Sequence, residues 1–227
     1  TRIVRALPRA FLRFWLRTWL PVWSLARRHE PCMVSTAAVR AERDAMLAAM
    51  HKDLAARLEK LVSDVPDFPK PGIVFKDMTP LLADPSALAL AVELMANPYR
   101  AAKVDLVIGA ESRGFIFGIA LAQALCAGFI PVRKPGKLPR EVHGVDYALE
   151  YGSDRLELHA DAVGPGTRVV LVDDLLATGG TMSATVQLAE ESGAEIVGVT
   201  VLIELIALNG RSKLGTHAES VHAVLRY

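Results

Sequence analysis

The chain has 227 residues, enough for one domain with appendages, and 52% of them are hydrophobic, which supplies a large core and excludes a disordered chain. Its formal net charge of +1 hides a division: residues 1–32 hold seven arginines against the single acid Glu30, so that segment carries +6 and the rest −5. Two cysteines, Cys32 and Cys126, exclude a disulfide framework, and no apolar run approaches the ~20 residues of a membrane span, so residues 33–227 are expected to be soluble and cytoplasmic.

Arg2, Arg5, Arg9, Arg13 and Arg17 recur at spacings of three or four, which gathers them on one side of a helix. All three tryptophans, Trp15, Trp19 and Trp23, lie in the same segment, while Pro8 and Pro21 interrupt any long helix. Three readings compete for it: an Arg-rich targeting peptide, a membrane-surface helix, or upstream sequence joined to the gene. The opening Thr1 and the ordinary start at Met33-Val34-Ser35-Thr36 favour the last. The expected organisation is an extension over 1–32 and one domain over 33–227.

Residues 40–62 carry alanine, leucine and charge at helical spacing and predict an amphipathic helix that ends before Pro66. Asp67-Phe68-Pro69-Lys70-Pro71-Gly72 is a turn-rich linker. Asp84 as N-cap and Pro85 at the first helical position start a helix that runs through Met95. A strand is predicted at 104–108, a tight loop at 109–114 and a helix at 115–125, in which Cys126 follows as a small buried hydrophobe. Further strands are predicted at 129–132, 169–172 and 196–203, with a helix at 181–191. Residues 133–168, rich in Pro, Gly and charge, read as a mobile loop followed by a β-hairpin. This alternation predicts an α/β chain, a central, mostly parallel sheet with helices on both faces. Ligands of open α/β sheets lie beyond the carboxyl ends of the strands, so chemistry is expected in the loops 109–114 and 173–181.

The stretch Val169-Val170-Leu171-Val172-Asp173-Asp174-Leu175-Leu176-Ala177-Thr178-Gly179-Gly180-Thr181 places two adjacent carboxylates at the end of a buried strand and a glycine-bearing loop at the start of a helix. Gly179 and Gly180 let backbone N–H groups approach an anion, the helix N-terminus adds positive potential, and the Thr178 and Thr181 hydroxyls add donors. A phosphate monoester fits that nest. Ionised Asp173 and Asp174 only accept hydrogen bonds, which suits vicinal sugar hydroxyls, directly or through a divalent cation. Neither a Walker loop nor a dinucleotide fingerprint is present.

In this order the four apolar residues, two acids and Thr-Gly-Gly-Thr loop resemble the phosphoribosyl pyrophosphate signature of the type I phosphoribosyltransferases. The resemblance covers nearly everything from about Leu61 to Tyr227, and its other motifs are similar to the members that take adenine. It implies the fold of that family, with a small hood from the N-terminal segment, and it implies Mg²⁺ as cofactor, bound by Asp173 and Asp174 indirectly through substrate or water. Ala177, Thr178, Gly179, Gly180 and Thr181 would hold the 5′-phosphate. Asp67-Phe68-Pro69-Lys70-Pro71-Gly72-Ile73-Val74-Phe75-Lys76-Asp77 resembles the family's adenine-holding segment, so Val74, Phe75 and Lys76 would line the base site. Gly109-Ala110-Glu111-Ser112-Arg113-Gly114-Phe115 resembles its pyrophosphate loop, which assigns Ala110, Glu111, Ser112 and Arg113 to the leaving anion. Arg133-Lys134-Pro135-Gly136-Lys137-Leu138-Pro139-Arg140 would be a lid whose Arg133, Lys134 and Lys137 neutralise pyrophosphate and exclude water.

Glu150, within Tyr147-Ala148-Leu149-Glu150-Tyr151-Gly152, takes by the same resemblance the place of the glutamate that approaches the imidazole side of adenine, a general acid/base candidate beside Arg113 and Lys137 as catalytic residues. Family members that use oxopurines usually carry an Asp where Ala177 stands. The partners implied are adenine, phosphoribosyl pyrophosphate and AMP, with a homodimer as the family's usual assembly. Rival readings are an oxopurine or xanthine enzyme of the same fold, a phosphoribosyl pyrophosphate-sensing regulatory domain, and a phosphoribosyl pyrophosphate synthetase. The regulatory module needs a basic nucleic-acid face, whereas residues 33–227 are net acidic with no helix-turn-helix, so no nucleic-acid or membrane partner is expected.

Overall fold

The computed structural model describes residues 36–148 and 153–227. The chain divides into two units, Thr1–Leu47 and Ala48–Tyr227, and the second holds every strand described below. The expected junction between residues 32 and 33 lies outside the described residues.

Helix α1 spans Thr36–Glu59, with Arg57 in its last turn where a cation complements the helix dipole. Next come two short strands that the sequence did not suggest, β1 (Ser63–Pro66) and β2 (Val74–Asp77), paired antiparallel around the expected Pro-rich turn. Asp67 holds that turn by accepting from the Gly72 N–H at 2.7 Å. A single turn, α2 (Thr79–Ala83), leads to α3 (Pro85–Ala96). Its start is as predicted: the Asp84 carboxylate accepts from the Ser86 and Ala87 N–H groups at 2.8 and 2.9 Å, and Pro85 follows it.

The rest alternates as expected: β3 (Leu106–Ala110), α4 (Gly114–Leu125), β4 (Gly128–Val132), the antiparallel pair β5 (Val142–Ala148) and β6 (Ser153–His159), β7 (Arg168–Leu176), α5 (Gly180–Glu191) and β8 (Glu195–Glu204). After 3-10 turns over Gly210–Ser220 the chain adds a last strand, β9 (Val221–Arg226), absent from the sequence reading. The central sheet is five-stranded and parallel throughout, in the order β4-β3-β7-β8-β9. Alternate residues of β7 feed two cores. Val170 and Val172 pack with Phe117, Leu121 and Met95 on one face, and Val169 and Leu171 pack with Met182 and Leu188 on the other. Each fully buried side chain of this kind stabilises the fold by about 1.5–3 kcal/mol relative to exposure.

Cys126 corrects one expectation. It is exposed, because it ends α4 in the left-handed conformation (φ 55°), donating from its N–H to the Ala122 and Gln123 carbonyls. A residue that closes a helix in this way leaves the helix's buried face.

His222 on β9 donates from Nε2 to the Leu94 carbonyl at 3.1 Å. Burial holds its pKa below the usual histidine value; the hydrogen bond to the Leu94 carbonyl pulls it back in part, and the Arg226 and Arg211 charges push it further down. The neutral form is therefore the folded one. Its contribution to stability is complete above the unfolded pKa of about 6.5 and is lost as pH falls from there through the lower folded value. His222→Gln should flatten that fall. Urea midpoints at pH 7.5 and pH 5.0 read it directly, with a larger drop expected in the parent protein than in the variant; equal drops would contradict the assignment.

Candidate active site

The strand order places the site. From β3 the chain moves outward to β4, then returns to β7 on the other side of β3, so β3 and β7 flank the point where the winding reverses. Loops diverge there at the carboxyl ends and leave a crevice for ligand. The residues on either side of it are Glu111–Gly114 and Asp173–Thr181, both predicted from sequence.

Asp173 and Asp174 end the buried run of β7. The Asp174 N–H donates to Asp173 Oδ1 at 2.8 Å, and a Cβ on Gly114 would lie 2.8 Å from the same oxygen, so glycine there lets the α4 N-terminus reach the carboxylate. Burial, and after it the Asp174 charge, push the Asp173 carboxyl well above the usual carboxylate range, while Arg113 pulls it back in part. Asp174 is buried at 5% exposure, and Arg113 Nε lies 3.0 Å from its Oδ2. That contact pairs the charges but lacks hydrogen-bond geometry, and Oδ2 accepts no hydrogen bond among the described residues. A buried acceptor left open in this way costs about 1–3 kcal/mol, which a donor hydroxyl or a cation-bound water recovers.

Beyond the aspartates, Gly179 takes φ 80° and α5 begins at Gly180. No side chain caps this helix and no acid stands in its first turn, which leaves its leading N–H groups for an anion, and Asp173 with residues 175–182 lines a cavity of about 90 Å³. From the hairpin, the Tyr147 hydroxyl donates to Asp154 Oδ2 at 3.4 Å. A larger cavity of about 650 Å³ lies between α1 and β9, lined by His51, Lys52 and His222, and none of these loops borders it.

The loop after β3 divides its residues between two tasks. Ala110 is buried as the last residue of β3, and the Glu111 N–H donates to the Val132 carbonyl at 2.9 Å. The Glu111 carboxylate accepts from Arg133 Nε and Nη2, each at 3.2 Å, and from the Lys134 N–H at 3.0 Å; the Arg133 hydrogen bonds hold it below the usual carboxylate range. Glu111 therefore ties this loop to the cationic one, and Ser112 and Arg113 are its exposed positions. The Glu111–Ser112 peptide is cis.

Among the cations of the next loop, Lys134 Nζ pairs with Asp154 at 3.1 Å, and Arg133 is committed to Glu111. The buried Glu157 accepts from the Gly136 N–H at 3.1 Å. Lys137 enters no ion pair among the described residues. The hairpin thus fixes the base of the loop, and among the described residues Lys137 is the loop cation left for a ligand.

On β2 the side chains alternate. Phe75 meets Phe68 edge-on at 5.2 Å between centroids, and the Arg113 guanidinium lies 5.6 Å from the Phe75 ring. Phe75, Arg113 and Asp174 so form one continuous line from the base segment to the sugar loop. Val74 is exposed. Lys76 goes elsewhere: its ammonium pairs with Asp64 at 2.6 Å and sits 4.0 Å over the Tyr227 ring, so its side chain does not join Phe75, and only its backbone remains for a base. Glu150 lies outside the described residues, between the strands β5 and β6 that flank it. The sequence reading missed Asp154 and Glu157, charged residues in a hairpin whose local sequence gives no sign of a partner.

Comparison with known proteins agrees with this geometry. The family profile described as "Phosphoribosyl transferase domain" matches residues 78–219. The adenine phosphoribosyltransferase of Rhodopirellula baltica is 57% identical over 166 residues, 73% of this chain and 80% of that protein. That of Methylococcus capsulatus is 53% identical over 171 residues, covering 75% of this chain and 99% of its own length. Among solved structures, the adenine phosphoribosyltransferase of Rhodothermus marinus superposes with a TM-score of 0.73 at 49% identity, over 78% of this chain and 99% of that one. The Saccharomyces cerevisiae enzyme, solved with an imino-altritol bisphosphate and adenine, gives a TM-score of 0.73 at 38% identity over 77% of this chain and 99% of its own. A parallel sheet reversing between β3 and β7, paired aspartates, an uncapped helix start and these relatives place the chain in the phosphoribosyltransferase family, on its adenine phosphoribosyltransferase branch.

Proposed function

We propose that the chain transfers the phosphoribosyl group of phosphoribosyl pyrophosphate to adenine, giving AMP and pyrophosphate in purine salvage. One observation carries the reading: the Asp173–Asp174 pair stands beside an uncapped helix N-terminus, with Arg113 bridging from Asp174 to Phe75.

The backbone of Ala177, Thr178, Gly179, Gly180 and Thr181, with the two threonine hydroxyls, binds the 5′-phosphate. Asp173 and Asp174 accept from the ribose hydroxyls. Ser112, Arg113 and Lys137 face the pyrophosphate, with Arg133 and Lys134 holding the loop in place. Adenine lies against Phe75. N9 attacks C1′ as the bond from C1′ to the pyrophosphate oxygen breaks; the ring oxygen shares the positive charge on the sugar, and the leaving anion's charge falls on Arg113 and Lys137. The N9 proton is taken up on the imidazole side of the base, the role assigned to Glu150.

Mg²⁺ fits this site. No group of three or more His, Cys, Asp or Glu side chains converges on a metal position among the described residues. The two adjacent aspartates, too few to form a closed cage, suit a cation held mainly by substrate oxygens and water. Bound there, Mg²⁺ would supply positive charge to the pyrophosphate and hold the sugar hydroxyls near the two aspartates. A homodimer is the expected assembly, and Ile116 and Ile119, exposed on α4, offer an apolar patch for a second copy. No helix among the described residues is long and apolar enough to cross a membrane.

Chromatography of the reaction tests the proposal: adenine and phosphoribosyl pyrophosphate with Mg²⁺ should yield AMP and pyrophosphate in equal amounts. No nucleotide, or pyrophosphate released without AMP, would refute it. Glu150→Gln should lower kcat by roughly 10²- to 10⁴-fold, the usual worth of a positioned acid/base group, with binding of phosphoribosyl pyrophosphate largely kept. Single-turnover kinetics beside calorimetry separate the two, and unchanged turnover would remove Glu150 from its role.

A further inference from the structure

Against the phosphate loop, in residues that do not line the ligand cavity, the structure holds a second device. Gly179 is the loop residue with positive φ, and glycine is the residue that loses most freedom when held in one conformation. Something must brace it. A Cβ on Gly179 would lie 2.3 Å from the Gly210 carbonyl oxygen, and a Cβ on Gly210 would lie 2.3 Å from the Ala177 carbonyl oxygen and 3.0 Å from the Gly179 nitrogen. The two backbones pack directly against each other, so wherever Gly210 sits, the loop's N–H groups must follow.

Gly210 is in turn held from both sides. Asn209 before it is left-handed at φ 49°. Arg211 after it is fixed at four points: Nε and Nη2 donate to the two oxygens of Glu204, the latter at 2.8 Å, and Nη1 donates to the Ala218 and Val221 carbonyls at 3.1 and 2.9 Å. Glu204 is the last residue of β8 and only 6% exposed, and it pairs in register with Leu176, the residue that ends β7 just before the phosphate loop. The Leu205 N–H donates to the Leu176 carbonyl at 2.9 Å, and Arg226 at the end of β9 contributes a second cation to Glu204 at 3.2 Å. The ends of three strands and the start of the 210–220 turns therefore meet at one buried carboxylate.

We propose that the Glu204–Arg211 ion pair is a positioning device for the 5′-phosphate loop, acting through Gly210 on Ala177 and Gly179. A buried pair of this kind adds little net stability, because desolvation offsets the attraction, and its best-attested use is to fix one geometry. Here the geometry fixed is that of the anion nest. Neither residue touches substrate. Their effect is on how well the loop's donors are aimed before the phosphate arrives, and so on affinity for the sugar phosphate rather than on the chemical step.

The inference rests on the phosphoribosyl reading of the site, and its test separates the two. Glu204→Gln, Arg211→Gln and the conservative Arg211→Lys are compared with the parent enzyme by steady-state kinetics and by calorimetric binding of ribose 5-phosphate, a probe that needs no base and no turnover. The expected result for the two Gln variants is a KM for phosphoribosyl pyrophosphate raised by roughly tenfold, kcat and the KM for adenine within about threefold, and ribose 5-phosphate binding weakened by the same factor as the KM, in line with loss of a charged, buried contact. Arg211→Lys should recover part of the loss, and it keeps the test open if a Gln variant does not fold. Variants that lose thermal stability while ribose 5-phosphate affinity stays unchanged would overturn the proposal, as would equal rises in both KM values. A parent protein that binds ribose 5-phosphate but makes no AMP would instead refute the choice of acceptor and leave the positioning role standing.

Discussion

Gly179→Ala is expected to lower kcat/KM for phosphoribosyl pyrophosphate by roughly 10³-fold, the loss that follows when preorganised donors no longer face the developing charge. Two costs add at this residue. An alanine at φ 80° leaves the comfortable region by about 1–2 kcal/mol. Its Cβ would also stand 2.3 Å from the backbone oxygen of Gly210, which cannot rotate out of the way as a side chain could. The loop must therefore shift, and the N–H groups that bind the 5′-phosphate shift with it. Because the strain is local, a fold that survives, seen as a retained cooperative melt, should bind AMP and phosphoribosyl pyrophosphate poorly. Full activity in Gly179→Ala would show that the loop tolerates displacement and would remove it from the phosphate site.

Asp174→Asn should lower kcat/KM by roughly 10²- to 10³-fold, with weaker binding of the sugar substrate and its metal. The substitution keeps shape and removes charge. It withdraws the anion that Arg113 faces at 3.0 Å and replaces an open acceptor with a group whose NH₂ cannot accept from ribose or metal-bound water. Asp173 should respond as well. The Asp174 charge is second only to burial in raising its carboxyl, so Asp173 in the variant should ionise at lower pH. Calorimetry with phosphoribosyl pyrophosphate and Mg²⁺ reads the first effect, and the acid limb of the pH–rate profile reads the second. Unchanged affinity would contradict the assignment of the pair to the sugar.

What the sequence made legible was local in origin. Asp84 and Pro85 specify a helix start through contacts two and three residues away, and the structure reproduces both. The Val169 to Thr181 stretch carries strand pattern, acids and loop in one continuous run, so its place at the sheet's reversal followed once the parallel alternation was recognised. Features that depend on distant partners were not legible. Glu111 meets Arg133 22 positions away, and Glu204 meets Arg226 only because β8 and β9 pair. Strand β9 is an edge strand whose pairing with β8 has no short-range turn to announce it. Lys76 shows how finely side-chain direction matters: in a four-residue strand, one position separates the face that meets Asp64 from the face that carries Phe75 toward Arg113.

The choice of acceptor is the part of the account furthest from the phosphate loop, and a comparison of kcat/KM for adenine and hypoxanthine at saturating phosphoribosyl pyrophosphate and Mg²⁺ tests it most directly. A site that hydrogen-bonds the edge of one base rejects the other by roughly 10⁴-fold, because its buried polar groups are left unpaired. Adenine should win by a ratio of that order. Hypoxanthine turned over as fast as adenine, or faster, would contradict the account.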